Sequence, residues 1–162
     1  MEQYPWFKSY DPGMPYTLEP YPKKTLLDII DETTKEKPSH PMLLFMGSTL
    51  TYAMVQADSD AFAAALSDLG VKKGDCVAVM LPNVPQFVVA QLGAWKLGAV
   101  MAGINPLYTE HELEHTLKEC GAKVAVTMTT FYGKLKAVQN RTKVRTVIVT
   151  SVKDYLKPML SS

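Results

Sequence analysis

The sharpest chemical pattern in the chain is His111-Glu112-Leu113-Glu114-His115, which matches H-E-x-x-H letter for letter. On a helix, two histidines four apart share a face and can hold zinc, with the first glutamate activating a water. A catalytic zinc needs a third protein ligand. No histidine follows His115, and Asp154 is the only carboxylate beyond Glu119. Glu112 also has a second reading: with Thr109 it spells a capping box, in which side chain and backbone at a helix start satisfy one another. Leu113 and Leu117 then form the buried stripe, and His111, Glu114, His115 and Lys118 fall on the solvent side. The metalloprotease reading is the weaker of the two.

Other constellations are thinner. Gly93-Ala94-Trp95-Lys96-Leu97-Gly98 has the two-glycine spacing of a phosphate-binding loop. Ala99-Val100 follows where Lys and Ser/Thr are required, and the segment falls at the end of a helix instead of its start. Its glycines read as packing and capping residues. Cys76 and Cys120 offer at most one pair and read as reduced, packed thiols of an intracellular protein. His40 lies in a Pro-flanked loop, and no Ser-His-Asp, Cys-His or paired-carboxylate arrangement stands out.

The bulk numbers bound the class. The chain has 162 residues, 47% of them hydrophobic, enough for one domain with a real core. A net charge of +1, with only Lys23-Lys24 and Lys72-Lys73 as basic pairs, gives no footprint for nucleic acid. The N-terminus lacks a basic stretch followed by an apolar core, so no secretory signal is expected there. Apolar stretches are interrupted by Lys, Asn or Gln, so no transmembrane segment is expected. The expected location is cytoplasmic, with transient contact at a membrane surface left open.

Residues 1–24 carry Pro5, Pro12, Pro15, Pro20 and Pro22 among Tyr4, Tyr10, Tyr16 and Tyr21. Proline blocks regular structure, so this reads as an extended arm lying on the domain through its rings. It is also the one hint of a homodimerising contact. Residues 25–162 read as one α/β unit. Thr25 caps a helix over about 26–36 with Leu26, Leu27, Ile29 and Ile30 as its apolar face. A hairpin follows, with Gly47-Ser48 as its two-residue turn. A helix over about 52–69 shows Val55, Phe62, Leu66 and Leu69 on one face.

From residue 76 onward, strand and helix alternate. Cys76 to Leu81 is continuously apolar, as in strands buried on both faces. Asn83 reads as the cap of a helix closed by Gly98. Strand candidates at 99–103, 123–127 and 146–149 are separated by helices at 109–121 and about 131–140. This is βαβ logic and predicts a parallel sheet with helices on both faces. Ligands gather at the carboxyl edge of such sheets. Here that edge is made by Pro82-Asn83-Val84, Asn105-Pro106-Leu107-Tyr108, Met128-Thr129-Thr130 and Thr150-Ser151.

Several segments, taken in order, resemble the adenylate-forming (acyl-CoA synthetase/luciferase) superfamily. Thr49-Leu50-Thr51-Tyr52 is similar to its early L-T-Y motif. Residues Gly70 to Asn83 are similar to its G-V-x-x-G-D-x-V-A-x-x-L-P-N segment. Gly93 to Val100 continues into Asn105-Pro106-Leu107-Tyr108-Thr109 and Glu112-Leu113, similar to the next shared stretch of acyl-CoA synthetases. Pro5-Trp6 and Tyr10-Asp11-Pro12-Gly13 resemble the opening of the long-chain fatty acid members. The resemblance covers nearly the whole chain. It implies the N-terminal part of a fatty acid–CoA ligase, a partial N-terminal domain of the adenylate-forming fold. Such an enzyme uses ATP and Mg²⁺ to make acyl-AMP and then passes the acyl group to CoA.

The resemblance further implies that the Ser/Thr/Gly-rich phosphate loop, the nucleotide-binding segments and the mobile C-terminal domain lie after residue 162. The isolated chain is therefore expected to be inactive, with no catalytic or metal-binding residue of its own. By the same comparison, the loop Asn105-Pro106-Leu107-Tyr108 lies near the approach of CoA and Lys134 faces the CoA phosphates. On their own, Asn105-Pro106 also read as a turn that starts a helix and Lys134 as a solvated helix lysine. Two alternatives remain open: a ligase of the same superfamily for aryl or medium-chain acids, and a standalone α/β binding or dimerisation module.

Overall fold

A computed structural model describes residues 4–156. The first three residues of the arm and the last six of the α/β unit lie outside the described residues. The element order is a 3₁₀ turn (Pro5–Ser9), α1 (Leu26–Glu36), β1 (Pro41–Phe45), β2 (Ser48–Thr51), α2 (Tyr52–Asp68) and β3 (Cys76–Met80). It continues with α3 (Pro85–Lys96), β4 (Val100–Gly103), α4 (Glu110–Cys120), β5 (Val124–Met128), α5 (Thr129–Gln139), β6 (Thr146–Thr150) and a 3₁₀ turn (Val152–Tyr155).

The four later strands form one sheet in the order β4-β3-β5-β6, and every pairing is parallel. Alternation along the strands explains their continuous apolarity. Val77 and Val79 of β3, with Val124 and Val126 of β5, join one core with Leu66, Ala90 and Ala94 of α2 and α3. Ala78, Met80 and Ala125 point the other way, against Leu113 and Leu117 of α4 and Leu135 and Val138 of α5. Each central strand thus buries both faces, the condition that parallel sheets impose. The expected α/β class and both helical layers are present.

Four local expectations are corrected. The hairpin turn is Met46-Gly47, because Ser48 already pairs with Phe45 as the first residue of β2. Both turn residues have positive φ, 46° and 80°, the geometry that matches the twist of a two-residue hairpin. Val84, not Asn83, is the N-cap of α3, without a side-chain cap. Pro85 takes the first helical position, where its missing N–H costs nothing, and this leaves Asn83 one residue too early to cap. On α1, Leu27 and Ile30 pack inward while Leu26 and Ile29 are exposed. On α2 the buried stripe is Val55, Ser59, Ala63 and Leu66, and Leu69 is exposed as the C-cap.

The small residues of that stripe let α2 and α3 approach closely. A Cβ on Gly93 would lie 2.8 Å from the Phe62 ring, 3.1 Å from the Ser59 carbonyl oxygen and 3.2 Å from the Ala63 nitrogen. Lys96 ties the same crossing, donating to Ser59 Oγ at 2.7 Å and to Asp60 Oδ1 at 2.6 Å. Gly98, at φ +69°, turns the chain into β4. The two glycines of the false phosphate loop therefore serve helix crossing and chain reversal. In the arm, the rings of Tyr4, Trp6, Phe7, Tyr10 and Tyr16 contact one another.

Candidate functional site

The carboxyl edge of the sheet brings the expected loops together. After β4, Ile104 donates its N–H to the Val79 carbonyl and is buried, which anchors the start of the next loop. Asn105 then folds the chain on itself: its Oδ1 accepts from the Leu107 N–H at 3.0 Å, and its carbonyl accepts from the Tyr108 N–H at 3.1 Å. Asparagine favours such local turns because its side chain mimics a backbone acceptor. Leu107 is left 80% exposed at the tip, while Tyr108 packs against the α4/α5 core.

Lys134 reaches this loop from α5. Its ammonium donates to the Pro106 carbonyl at 3.0 Å and to the Tyr108 carbonyl at 2.7 Å. An ammonium has three donors, so these two bonds leave one for another acceptor. The five residues singled out from the sequence thus form one substructure, in which Lys134 is not a freely solvated helix lysine but is part-buried and bonded to two carbonyls of the loop.

The loop leads into α4 through a complete capping box. Thr109 Oγ1 accepts from the Glu112 N–H, and Glu112 accepts from the Thr109 N–H at 2.8 Å. The Thr109 N–H, then its hydroxyl, hold the Glu112 carboxyl below its ordinary range. Glu112 of the H-E-x-x-H pattern is therefore engaged as a structural cap. His115 lies 3.5 Å from Glu119 on the exposed side of the helix, and Leu113 is fully buried.

A second feature escaped the sequence reading. Against the β5–β6 face on the α2/α3 side lies a cleft of about 570 Å³, lined by Phe62, Val89, Val126 and Ile148 and rimmed by Gln86 and Tyr155, among others. Gln86 donates to Thr150 Oγ1 at 3.1 Å and to the Ser151 carbonyl at 2.7 Å, tying α3 to the end of β6. Its Oε1 is buried without a hydrogen-bond partner among the described residues. The Tyr155 hydroxyl donates to Asp58 at 2.6 Å, and burial, then this bond to a carboxylate, push its pKa up. The lining can hold apolar surface but presents no nucleophile–base pair. Its partners are far apart in sequence, so only the tertiary fold reveals it.

No group of three or more His, Cys, Asp or Glu able to hold a metal occurs among the described residues. No described helix is long and apolar enough to cross a membrane. Neither the sequence nor the described residues offer a glycine-rich loop or carboxylate set fitted to a magnesium nucleotide.

A family model described as AMP-binding enzyme matches residues 30–161. A long-chain-fatty-acid–CoA ligase of Bacillus subtilis is 38% identical over 154 residues, covering 95% of this chain and 27% of the ligase. The chain thus spans about a quarter of the length of that curated relative. Among solved structures, a long-chain-fatty-acid–CoA ligase from Archaeoglobus fulgidus aligns with TM-score 0.70 and 27% identity, over 83% of this chain and 30% of the ligase. An anthranilate CoA ligase in complex with anthranoyl-AMP aligns with TM-score 0.75 and 25% identity, over 81% of this chain and 25% of that one.

Proposed function

Because the chain belongs to the AMP-binding enzyme family, we propose that it is the N-terminal part of a fatty acid–CoA ligase. The reaction is activation of a long-chain fatty acid with ATP to acyl-AMP and transfer of the acyl group to CoA. The observation that carries this reading is the 38% identity to a long-chain-fatty-acid–CoA ligase over 95% of the chain. Adenylation replaces a poor leaving group on the acyl carbon with a good one, and cationic groups and a metal stabilise the phosphate charge. The residues that grip ATP and Mg²⁺ belong to later parts of the longer protein, and this chain alone neither adenylates nor forms a thioester.

What this chain contributes is positioning. The parallel sheet holds the loop Asn105-Pro106-Leu107-Tyr108 at its carboxyl edge, and Lys134 keeps that loop in shape through two carbonyls. In the longer protein this loop forms one wall of the CoA approach, and the remaining ammonium donor of Lys134 faces the CoA phosphates. The test is steady-state kinetics of the longer protein with Asn105→Ala and Lys134→Met. The expected result is a rise of about tenfold in the KM for CoA, corresponding to the loss of about 1.4 kcal/mol of binding. An unchanged KM for CoA in both variants removes the assignment.

A second reading keeps the family and changes the acid. The fold match to an anthranilate CoA ligase at TM-score 0.75 favours it. Comparing long-chain, medium-chain and aryl acids as substrates of the longer protein separates the two. A standalone binding or dimerising module predicts a defined dimer of this chain by light scattering, with the Tyr/Pro arm as its contact.

A further inference from the structure

Gln86 stands in the first turn of α3, shortly after the chain leaves β3. It is 8% exposed, the longest of the buried polar side chains among the described residues. A buried amide is tolerated where its donors find acceptors, and both donors of this one do. Nε2 donates to Thr150 Oγ1 at 3.1 Å and to the Ser151 carbonyl at 2.7 Å. Thr150 is the last residue of β6 and Ser151 the first beyond it. In the sheet order β4-β3-β5-β6, β3 and β6 do not pair. The amide therefore spans the width of β5 and joins the carboxyl-edge exits of two separate strands.

The exit from β6 is tied at further points. Asp154 accepts from the Thr150 hydroxyl at 2.7 Å and from the Ser151 N–H at 2.8 Å. The Ser151 carbonyl takes a second bond, from the Asp154 N–H, at 3.1 Å. Tyr155 then closes on α2 by donating to Asp58 at 2.6 Å. Connections at the surface are ordinarily the mobile parts of a fold. This one is gripped from its first residue to Tyr155. The bonds of Asp154 are local to the turn, so Gln86 and Tyr155 tie it to the helices, and Gln86 does so where the chain leaves the strand.

We propose that Gln86 is a positioning residue for adenylation: it fixes the path on which the chain leaves β6, and so the placement of the adenylating residues that follow in the longer protein. The proposal rests on the ligase reading above, in which the match covers 27% of the curated relative. In this role Gln86 touches no reacting atom and acts through the backbone at Thr150 and Ser151. The effect is large because a displacement of about 1 Å, even one that starts far from the chemistry, can cost about a hundredfold in rate. Leucine at this position fills similar space but has no proton for either acceptor.

The test has two readouts. In this chain, hydrogen exchange by mass spectrometry follows the amides of residues 151–156, several of which are bonded within the exit. Gln86→Leu should speed their exchange about tenfold or more, the scale expected for two lost bonds. The control is Leu117→Val, a core substitution on the opposite face of the sheet, which should leave those amides within about twofold of the parent. In the longer protein, fatty acid-dependent exchange of labelled pyrophosphate reports adenylation. Gln86→Leu should lower kcat about tenfold with the KM for the fatty acid within about twofold, the split left by misplaced transition-state groups. Leu117→Val should keep the parental kcat well below its melting temperature. Thr150→Val removes one of the two acceptors. It should move both readouts the same way by less, and it carries the test if Gln86→Leu does not fold. Unchanged amide exchange, a kcat equal to the parent's, a loss confined to KM, or an equal loss in Leu117→Val overturns the proposal. A longer protein inert without any substitution sinks the ligase reading and the role of Gln86 together. An active parent with an equally active Gln86→Leu sinks the role of Gln86 alone.

Discussion

Replacing Gly93 by alanine tests whether the α2–α3 crossing is as close as the structure has it. The added Cβ would meet the Phe62 ring at 2.8 Å, the Ser59 carbonyl oxygen at 3.1 Å and the Ala63 nitrogen at 3.2 Å. Favourable contact between carbon atoms lies near about 3.5–4.0 Å, so all three neighbours are too close. The Phe62 ring can rotate, but the other two atoms belong to the backbone of α2 and can yield only if the helices part. Overpacking of this kind costs about 1–3 kcal/mol. The gain from removing a helix-interior glycine, about 0.5–1 kcal/mol, offsets part of it. The net loss is about 1–2 kcal/mol, a fall in Tm of about 3–6 °C for a chain of this size. The control is Gly133→Ala. Gly133 is exposed within α5, and a Cβ there meets nothing within 4 Å. The same substitution should therefore raise Tm by about 1–3 °C. Thermal melts followed by the helical circular dichroism signal measure both. A Gly93→Ala protein as stable as the parent, or equal shifts of one sign in both variants, would refute the crossing geometry.

Met46 adopts φ 46° in the hairpin turn while its side chain is exposed. Met46→Asn should raise stability by about 0.5–1 kcal/mol, read as a higher urea midpoint, since asparagine tolerates this region and Asn-Gly suits the turn. Asp154 is held below its ordinary pKa by the Ser151 N–H, then by the Thr150 hydroxyl. A depressed carboxylate stabilises the fold above its unfolded pKa, and that contribution disappears as pH falls through the folded value. Asp154→Asn should therefore flatten the acid limb of the Tm profile below about pH 4. Tyr155 titrates above its ordinary range in the fold. Its contribution is complete below about pH 10 and is lost as pH rises toward the folded value, so Tyr155→Phe should reduce the loss of Tm in alkali.

The elements built on local signals were legible in the chain. Thr25 and Thr109 mark helix starts because a side-chain cap is a short-range pattern; both cap, Thr109 through the expected box with Glu112 and Thr25 through a box with Asp28 that the structure adds. The continuous apolar runs of β3 and β5 reveal burial on two faces, which fixes the parallel sheet. Two of the errors, at the hairpin turn and at the cap of α3, are one-residue matters of register. Gly47 suits either turn position, and only pairing to Phe45 shows that Ser48 is already strand. The inward face of α1 depended on how that helix tilts against its neighbours, which periodicity does not encode. Within the candidate site, Asn105 announced a turn through its side-chain chemistry. The Lys134 clamp spans 26 and 28 positions, so it leaves no local trace.

The most direct test of the proposed role is fatty acid-dependent exchange of labelled pyrophosphate into ATP, measured side by side on this 162-residue chain and on the longer protein that contains it. The expected result is exchange by the longer protein with a long-chain fatty acid and none above background by the chain alone. Exchange by the isolated chain would contradict the positioning role assigned to it. A longer protein inert toward fatty acids of every chain length would contradict the ligase assignment.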